Sequence, residues 1–167
     1  MSRALRGEHP QVHPLPAAAE MVHATAFLLV LSLAVVAPVL STGKCVLAGN
    51  WTNDLGSNMT IIMNSKCNFS GSYSTAVSET PEKIEKSPLR GSQNYRNLTQ
   101  PVFGFTVNWT FTDSVTVFTG QCFVDETGKE VLKTMWLLRS HADSIKDDWT
   151  ATRVGTNVFT RQPSQKE

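Results

Sequence analysis

No stretch of this sequence carries a sustained helical period, which argues against a helical bundle and leaves strands and turns as the material of the fold. Charge of one sign is missing too. The 15 basic and 14 acidic residues leave a net +1, so nothing suggests a nucleic-acid partner. Histidine is scarce: of four, only His141 lies beyond residue 41. No CxxC pair occurs, so the ligand spacing of a zinc site is absent. A lone histidine in a loop also leaves no Ser–His–Asp order, and nothing reads as an activated nucleophile. No catalytic residue, metal or cofactor is expected.

The one long apolar run, over 26–38, falls short of the roughly 20 residues a membrane-spanning helix needs. It closes at Val39-Leu40-Ser41, small or apolar residues where a signal peptidase reads, although His23 is all that its basic lead contains. We read 21–41 as a secretory signal peptide. Residues 1–20, rich in Pro and His, read as a non-native or disordered extension ahead of a natural start at Met21. The rest, 42–167, is one domain's length and keeps the net +1, because the leader holds two residues of each sign. A secreted, extracellular protein is expected, with no membrane attachment after cleavage.

Cysteine is odd in number, and Cys45, Cys67 and Cys122 all lie in that domain. In an oxidising compartment this means one pair and one thiol left over, or an intermolecular bridge. Spacing alone does not choose the pair. Cys122 lies inside a strong strand pattern and Cys45 just before another, so these two are the preferred pair. Cys67 falls in a hairpin turn, where it is expected to be free and exposed. Of the sequons at Asn50, Asn58, Asn68, Asn97 and Asn108, Asn58, Asn68 and Asn97 fall in or beside turns and are the expected glycan sites. Asn50 and Asn108 flank Trp51 and Trp109 on strands and are weaker candidates.

What is abundant is period two. Phe103, Phe105, Val107, Trp109 and Phe111 share one face of a strand, and Thr116, Phe118, Gly120 and Cys122 share one face of the next. The turn between them, Thr112-Asp113-Ser114, is all hydroxyl and carboxylate. Further strands are expected over 49–54, 58–64, 68–77, 89–94, 129–140 and 149–161, with a polar loop over 78–86, a helical turn within 142–148 and an unstructured tail. In the seventh, Thr134, Trp136 and Leu138 alternate with Met135, Leu137 and Arg139. Eight consecutive strands with short connections suggest an all-β fold, an eight-stranded antiparallel up-and-down barrel able to hold one small ligand. Met135, Leu137, Val154 and Val158 should face outward, and so apolar an exterior argues for a subunit interface.

Trp51-Thr-Asn-Asp-Leu-Gly-Ser-Asn-Met-Thr-Ile61, Pro101-Val-Phe-Gly-Phe-Thr-Val-Asn-Trp109, Val117-Phe-Thr-Gly-Gln-Cys-Phe123, Gly128-Lys-Glu-Val-Leu-Lys-Thr-Met-Trp-Leu-Leu-Arg-Ser140, Asp147-Asp-Trp149 and Ala151-Thr-Arg-Val-Gly155 together resemble the avidin family. The similarity runs in order through 44–167, and the signal segment is similar as well. It implies the same barrel, a homotetramer built as a dimer of dimers, and very tight binding of biotin, a ligand rather than a cofactor. By the same resemblance, Asn53, Ser57 and Tyr73 donate to the ureido carbonyl, and Thr75 and Asn157 accept from the ureido N–H groups. Thr116 meets the thioether sulfur. Trp109, Phe111, Phe118, Trp136 and Leu138 box the rings and chain. Thr112, Ser114 and the loop Val77-Ser78-Glu79-Thr80 hold the carboxylate, and Trp149 reaches in from a neighbouring subunit. Trp51 reads as core. Sequestration of the vitamin, with an antimicrobial effect, is what the family implies.

Three departures stand out. Glu79 replaces a small residue of the family, which sets a carboxylate near the ligand's own. Repulsion would reach at most about 3 kcal/mol at some 6 Å, and nearly nothing if Glu79 points to water. Thr156 replaces an outward isoleucine, which should weaken one subunit contact. The net charge is near zero, so little nonspecific attraction to acidic surfaces is expected. A lipocalin-like barrel for another apolar ligand is the alternative, and an adhesive glycoprotein the third reading. Neither has a use for the ureido-shaped polar set.

Overall fold

The computed structural model describes residues 43–163. The expected leader and N-terminal extension, and the last residues of the tail, lie outside them. Eight antiparallel strands follow in chain order: β1 (Gly49–Asn53), β2 (Asn58–Met63), β3 (Asn68–Ser74), β4 (Ser87–Gln93), β5 (Val102–Asn108), β6 (Ser114–Val124), β7 (Glu130–Ser140) and β8 (Thr152–Arg161). Each pairs with the next, and β1 pairs with β8, so the sheet closes into the expected up-and-down barrel.

Alternation builds the interior. Trp51, Met59, Ile61, Phe69, Tyr73, Leu89, Phe103, Phe105, Val107, Phe118, Leu132 and Phe159 are all buried in one cluster. Phe105 and Phe118 stack at 4.6 Å between centroids, and Trp51, wholly buried, donates its indole N–H to the Leu47 carbonyl at 2.9 Å. A Cys45–Cys122 disulfide pins the segment before β1 to the C-terminal end of β6. Between β6 and β7, Gly128 takes φ +81°, which a side chain would resist, while the Asp125 carboxylate accepts the Thr127 and Lys129 N–H groups.

Several boundaries differ from expectation, and each has a local cause. β3 stops at Ser74 rather than 77, because the Thr75 hydroxyl donates to the Val77 carbonyl and accepts the Val77 N–H, which turns the chain. β5 stops at Asn108. Trp109 N–H closes the hairpin on Ser114 O, which leaves Phe111 in the loop rather than on the strand. The helical turn expected within 142–148 is a 3-10 turn, Ile145–Thr150, which runs two residues into the span expected to open the eighth strand. Asp147 O accepts the Thr150 hydroxyl there, and Asp148 pairs with Arg139. β4 begins earlier than expected, with Ser87 buried and its hydroxyl accepting the Thr110 N–H. The tail stays paired one residue past β8, where Gln162 N–H donates to Asn50 O.

Cys67 is half-buried rather than exposed, since its carbonyl and that of Lys66 accept Gln93 across the hairpin. Asn50 and Asn108 point outward and are exposed, as are Asn58, Asn68 and Asn97. Met135, Leu137 and Val154 face outward as expected and are exposed, whereas Val158 is half-buried. The disulfide spans 77 residues, so replacing both cysteines by alanine should cost about 2–4 kcal/mol in equilibrium chemical denaturation. An unchanged midpoint would mean that the β6 pairing alone holds that segment.

Candidate ligand-binding site

Loops β1–β2, β3–β4, β5–β6 and β7–β8 crowd one end of the barrel, as an up-and-down order requires. Beneath them opens a cavity of about 460 Å³. All the ligand-binding residues expected from the sequence line it except Thr116 and Trp149.

The polar groups inside are held in defined roles by the backbone. Asn53 Oδ1 accepts the Leu55 N–H at 3.0 Å and the Ser57 N–H at 2.8 Å. Its amide is therefore turned so that Nδ2 donates towards Tyr73 Oη at 3.3 Å. Ser57 Oγ accepts the Ala76 N–H at 3.0 Å, which leaves its own proton to give. Across the closing seam, Asn157 Nδ2 donates to Asp54 Oδ1 at 2.9 Å, and Oδ1 of Asn157 is thereby an acceptor. Asp54 is held below the usual carboxylate range, chiefly by that bond. Thr75 keeps a lone pair beyond its two bonds to Val77. Three donors and two acceptors thus converge, each with its polarity set.

The aromatic wall is equally constrained. Tyr73 stacks on Phe118 at 5.7 Å between centroids and meets Trp109 edge-on at 5.5 Å. Trp136 lies opposite Gly155 in the β7–β8 register, where a Cβ would come within 2.3 Å of the indole; only glycine leaves that ring its place. Trp136 Nε1 is buried without a partner. Thr116 is buried against Trp109 and is not part of the cavity lining. Its Oγ1 accepts the Trp109 Nε1–H at 2.8 Å, so its hydroxyl proton remains to be donated. Trp149 is 81% exposed on the 3-10 turn and does not enter its own cavity.

At the mouth, Thr112 and Ser114 hydroxyls meet at 2.6 Å, and Ser78 and Thr80 at 3.1 Å. Glu79 is exposed at the mouth and pairs there with Arg153 at 2.7 Å. Leu55, Asp113, Ser140, His141 and Arg153 also line the cavity and were not anticipated. Period two contained two of them, since Arg153 precedes Gly155 and Asn157 on one face of β8, and Ser140 follows Trp136 and Leu138 on β7. Among the described residues, no cluster of His, Cys, Asp and Glu could hold a metal ion.

Burial pushes the Tyr73 hydroxyl up to about 12; the Ser57 bond opposes this and the Asp54 charge adds to it. The phenol therefore stays a proton donor across all physiological pH. Its contribution to stability is complete below pH 10 and is lost as pH rises towards 12, where the unfolded phenol has already ionised. We expect unfolding free energy to fall by about 2–3 kcal/mol across that window, measured against Tyr73→Phe. Equal losses in both proteins would show that Tyr73 is not the group responsible.

The avidin family model matches residues 41–162. Over 152 residues the chain is 64% identical to avidin from Gallus gallus, covering 88% of this chain and 100% of that protein. It is 61% identical over 145 residues to avidin-related protein 4/5 from Gallus gallus, covering 84% and 96%. Among solved structures, the biotin-binding protein from chicken superposes with a TM-score of 0.69 at 59% identity, covering 72% of this chain and 98% of that one.

Proposed function

Because the chain belongs to the avidin family, we propose that it is a secreted homotetramer that sequesters biotin, one molecule per barrel, tightly and without covalent chemistry. Proteins of this family bind ligand and catalyse nothing. The observation that carries the reading is the polar cluster of Asn53, Ser57, Tyr73, Thr75 and Asn157, whose donor and acceptor roles are fixed by neighbouring backbone and Asp54. A ureido group offers one carbonyl flanked by two N–H groups, which is the complement of that cluster. Three donors on one oxygen in a cavity shielded from water pull charge onto it, and each bond polarises the others. No reorganisation is needed on binding, which keeps the free energy of the contacts available as affinity.

Phe118, Trp136, Trp109, Phe111 and Leu138 then bury the bicyclic ring and the alkyl chain, and Thr116 donates to the sulfur. Hydroxyls of Thr112, Ser114, Ser78 and Thr80 take the carboxylate at the mouth. A generic apolar cavity has no need of the ureido-shaped cluster, which disfavours a lipocalin-like role.

Tetramer formation rests on the outer faces of β6, β7 and β8. Val117, Leu137 and Val154 lie side by side in register, with Met135 next to Thr156, and the apolar members are exposed. Thr156 breaks that apolar run and so loosens one contact. Trp149, exposed on its own chain, would complete a neighbour's cavity. Removal of free biotin would starve microbes; glycans on Asn68 and Asn97 would stand at the barrel end opposite the mouth, and one on Asn58 beside the β1–β2 loop.

Titration of the secreted protein by calorimetry should saturate at one biotin per chain, with quenching of tryptophan fluorescence. Trp149→Ala should release biotin about tenfold faster or more. No saturable binding would overturn the biotin reading, and a variant with native release would remove Trp149 from the site.

A further inference from the structure

The cavity mouth is lined by four ionisable side chains, and their arrangement bears on which form of the ligand this chain favours. Glu79 comes from the β3–β4 loop and Arg153 from β8, and they pair at 2.7 Å. Asp113 and His141 come from the β5–β6 and β7–β8 loops, with His141 Nδ1 3.4 Å from Asp113 and Nε2 3.4 Å from Asp143. Among the described residues, Arg153 is thus the only permanent cation lining the cavity, and its charge is already matched by Glu79. Among the described residues, Asp113 and Asp143 both face His141, so no unmatched cation stands at the rim. Among the described residues the interior beneath holds no charged side chain, because the cavity lining is otherwise hydroxyls, amides and apolar groups.

We infer that Glu79 makes this chain discriminate by charge at the ligand's exposed end, favouring biotin whose carboxyl is tied up as a neutral amide, as on a lysine side chain, over free biotin. This rests on the biotin reading above. A free carboxylate arriving at the mouth meets Glu79 and Asp113, and can reach Arg153 only by displacing Glu79. An amide has no charge to repel and no cation to compete for, and its N–H can donate to the Glu79 carboxylate. The pair is open to solvent, at 47% and 69% side-chain exposure, so the preference is modest and salt-dependent. Exposure also leaves room for an amide-linked chain to run out past Glu79 into water.

Two probes separate this from a simple loop anchor: biotin and biotinamide, each followed by its dissociation rate from the native protein, Glu79→Gln, and Glu79→Gln/Arg153→Gln. The rate for biotin divided by that for biotinamide should fall by ~3–10-fold in Glu79→Gln at low salt, and the gap should close in concentrated sodium chloride. The double variant, which lacks the freed arginine, should recover part of the native ratio. A Glu79→Gln ratio equal to the native one, with both ligands leaving faster together, would overturn the inference: Glu79 would then only tether the β3–β4 loop. A ratio insensitive to salt would overturn it as well. Failure of the native protein to retain either probe would instead sink the biotin reading itself, and this inference with it.

Discussion

The antiparallel pairing of β1 with β8 is the constraint on which the rest depends. It joins residues more than a hundred positions apart, sets Asn53 opposite Phe159, and lets Asp54 accept from both Asn157 Nδ2 and the Val158 N–H. Without it there is no barrel interior, and the donor of β1, Asn53, and the acceptor of β8, Asn157, would not face one site. The seam is reinforced at its other end. Arg161 lies 4.2 Å over the Trp51 ring, pairs with Glu130, and donates to Ala48 O at 2.9 Å. A planar, delocalised cation suits that place, where a stacked face and a fork of donors are needed together.

From that closure follow two zones of different character. The floor is rigid: its polar atoms are tied to backbone groups, and its aromatic rings are wedged against one another and against Gly155. The mouth is built of loops whose side chains bond mostly to each other, with hydroxyl pairs and an exposed ion pair. A rigid floor suits recognition of a small rigid group by shape and polarity. An adaptable, charged mouth suits the part of a ligand that varies.

Much of this was legible in the sequence. The run 101–123 declares two strands by alternation alone, and the turn chemistry between segments is explicit at Asp125-Glu126-Thr127-Gly128. The barrel follows from eight such strands. What alternation could not show is where side-chain to backbone bonds override it. Thr75 ends β3 early in this way, and the bonds of Asp147 and Asp148 hold Trp149 in a 3-10 turn instead of β8. The interior residues were recognisable because motif and face agreed. The rim was not. Glu79 could be flagged as out of place, but its partner Arg153 is 74 positions away, and only the fold brings them together. Half-burial of Cys67 was likewise invisible, since Gln93 on another strand covers it.

The central claim is that the floor of the barrel presents three fixed donors to one carbonyl oxygen. The infrared stretching frequency of an isotope-labelled ureido carbonyl, in biotin bound to the protein, tests this most directly. Three convergent donors weaken the C=O bond, so the band should lie below its position in water, and should move back towards it in Asn53→Ala and Tyr73→Phe. A bound ureido band at or above the water value, indifferent to those substitutions, would contradict the claim.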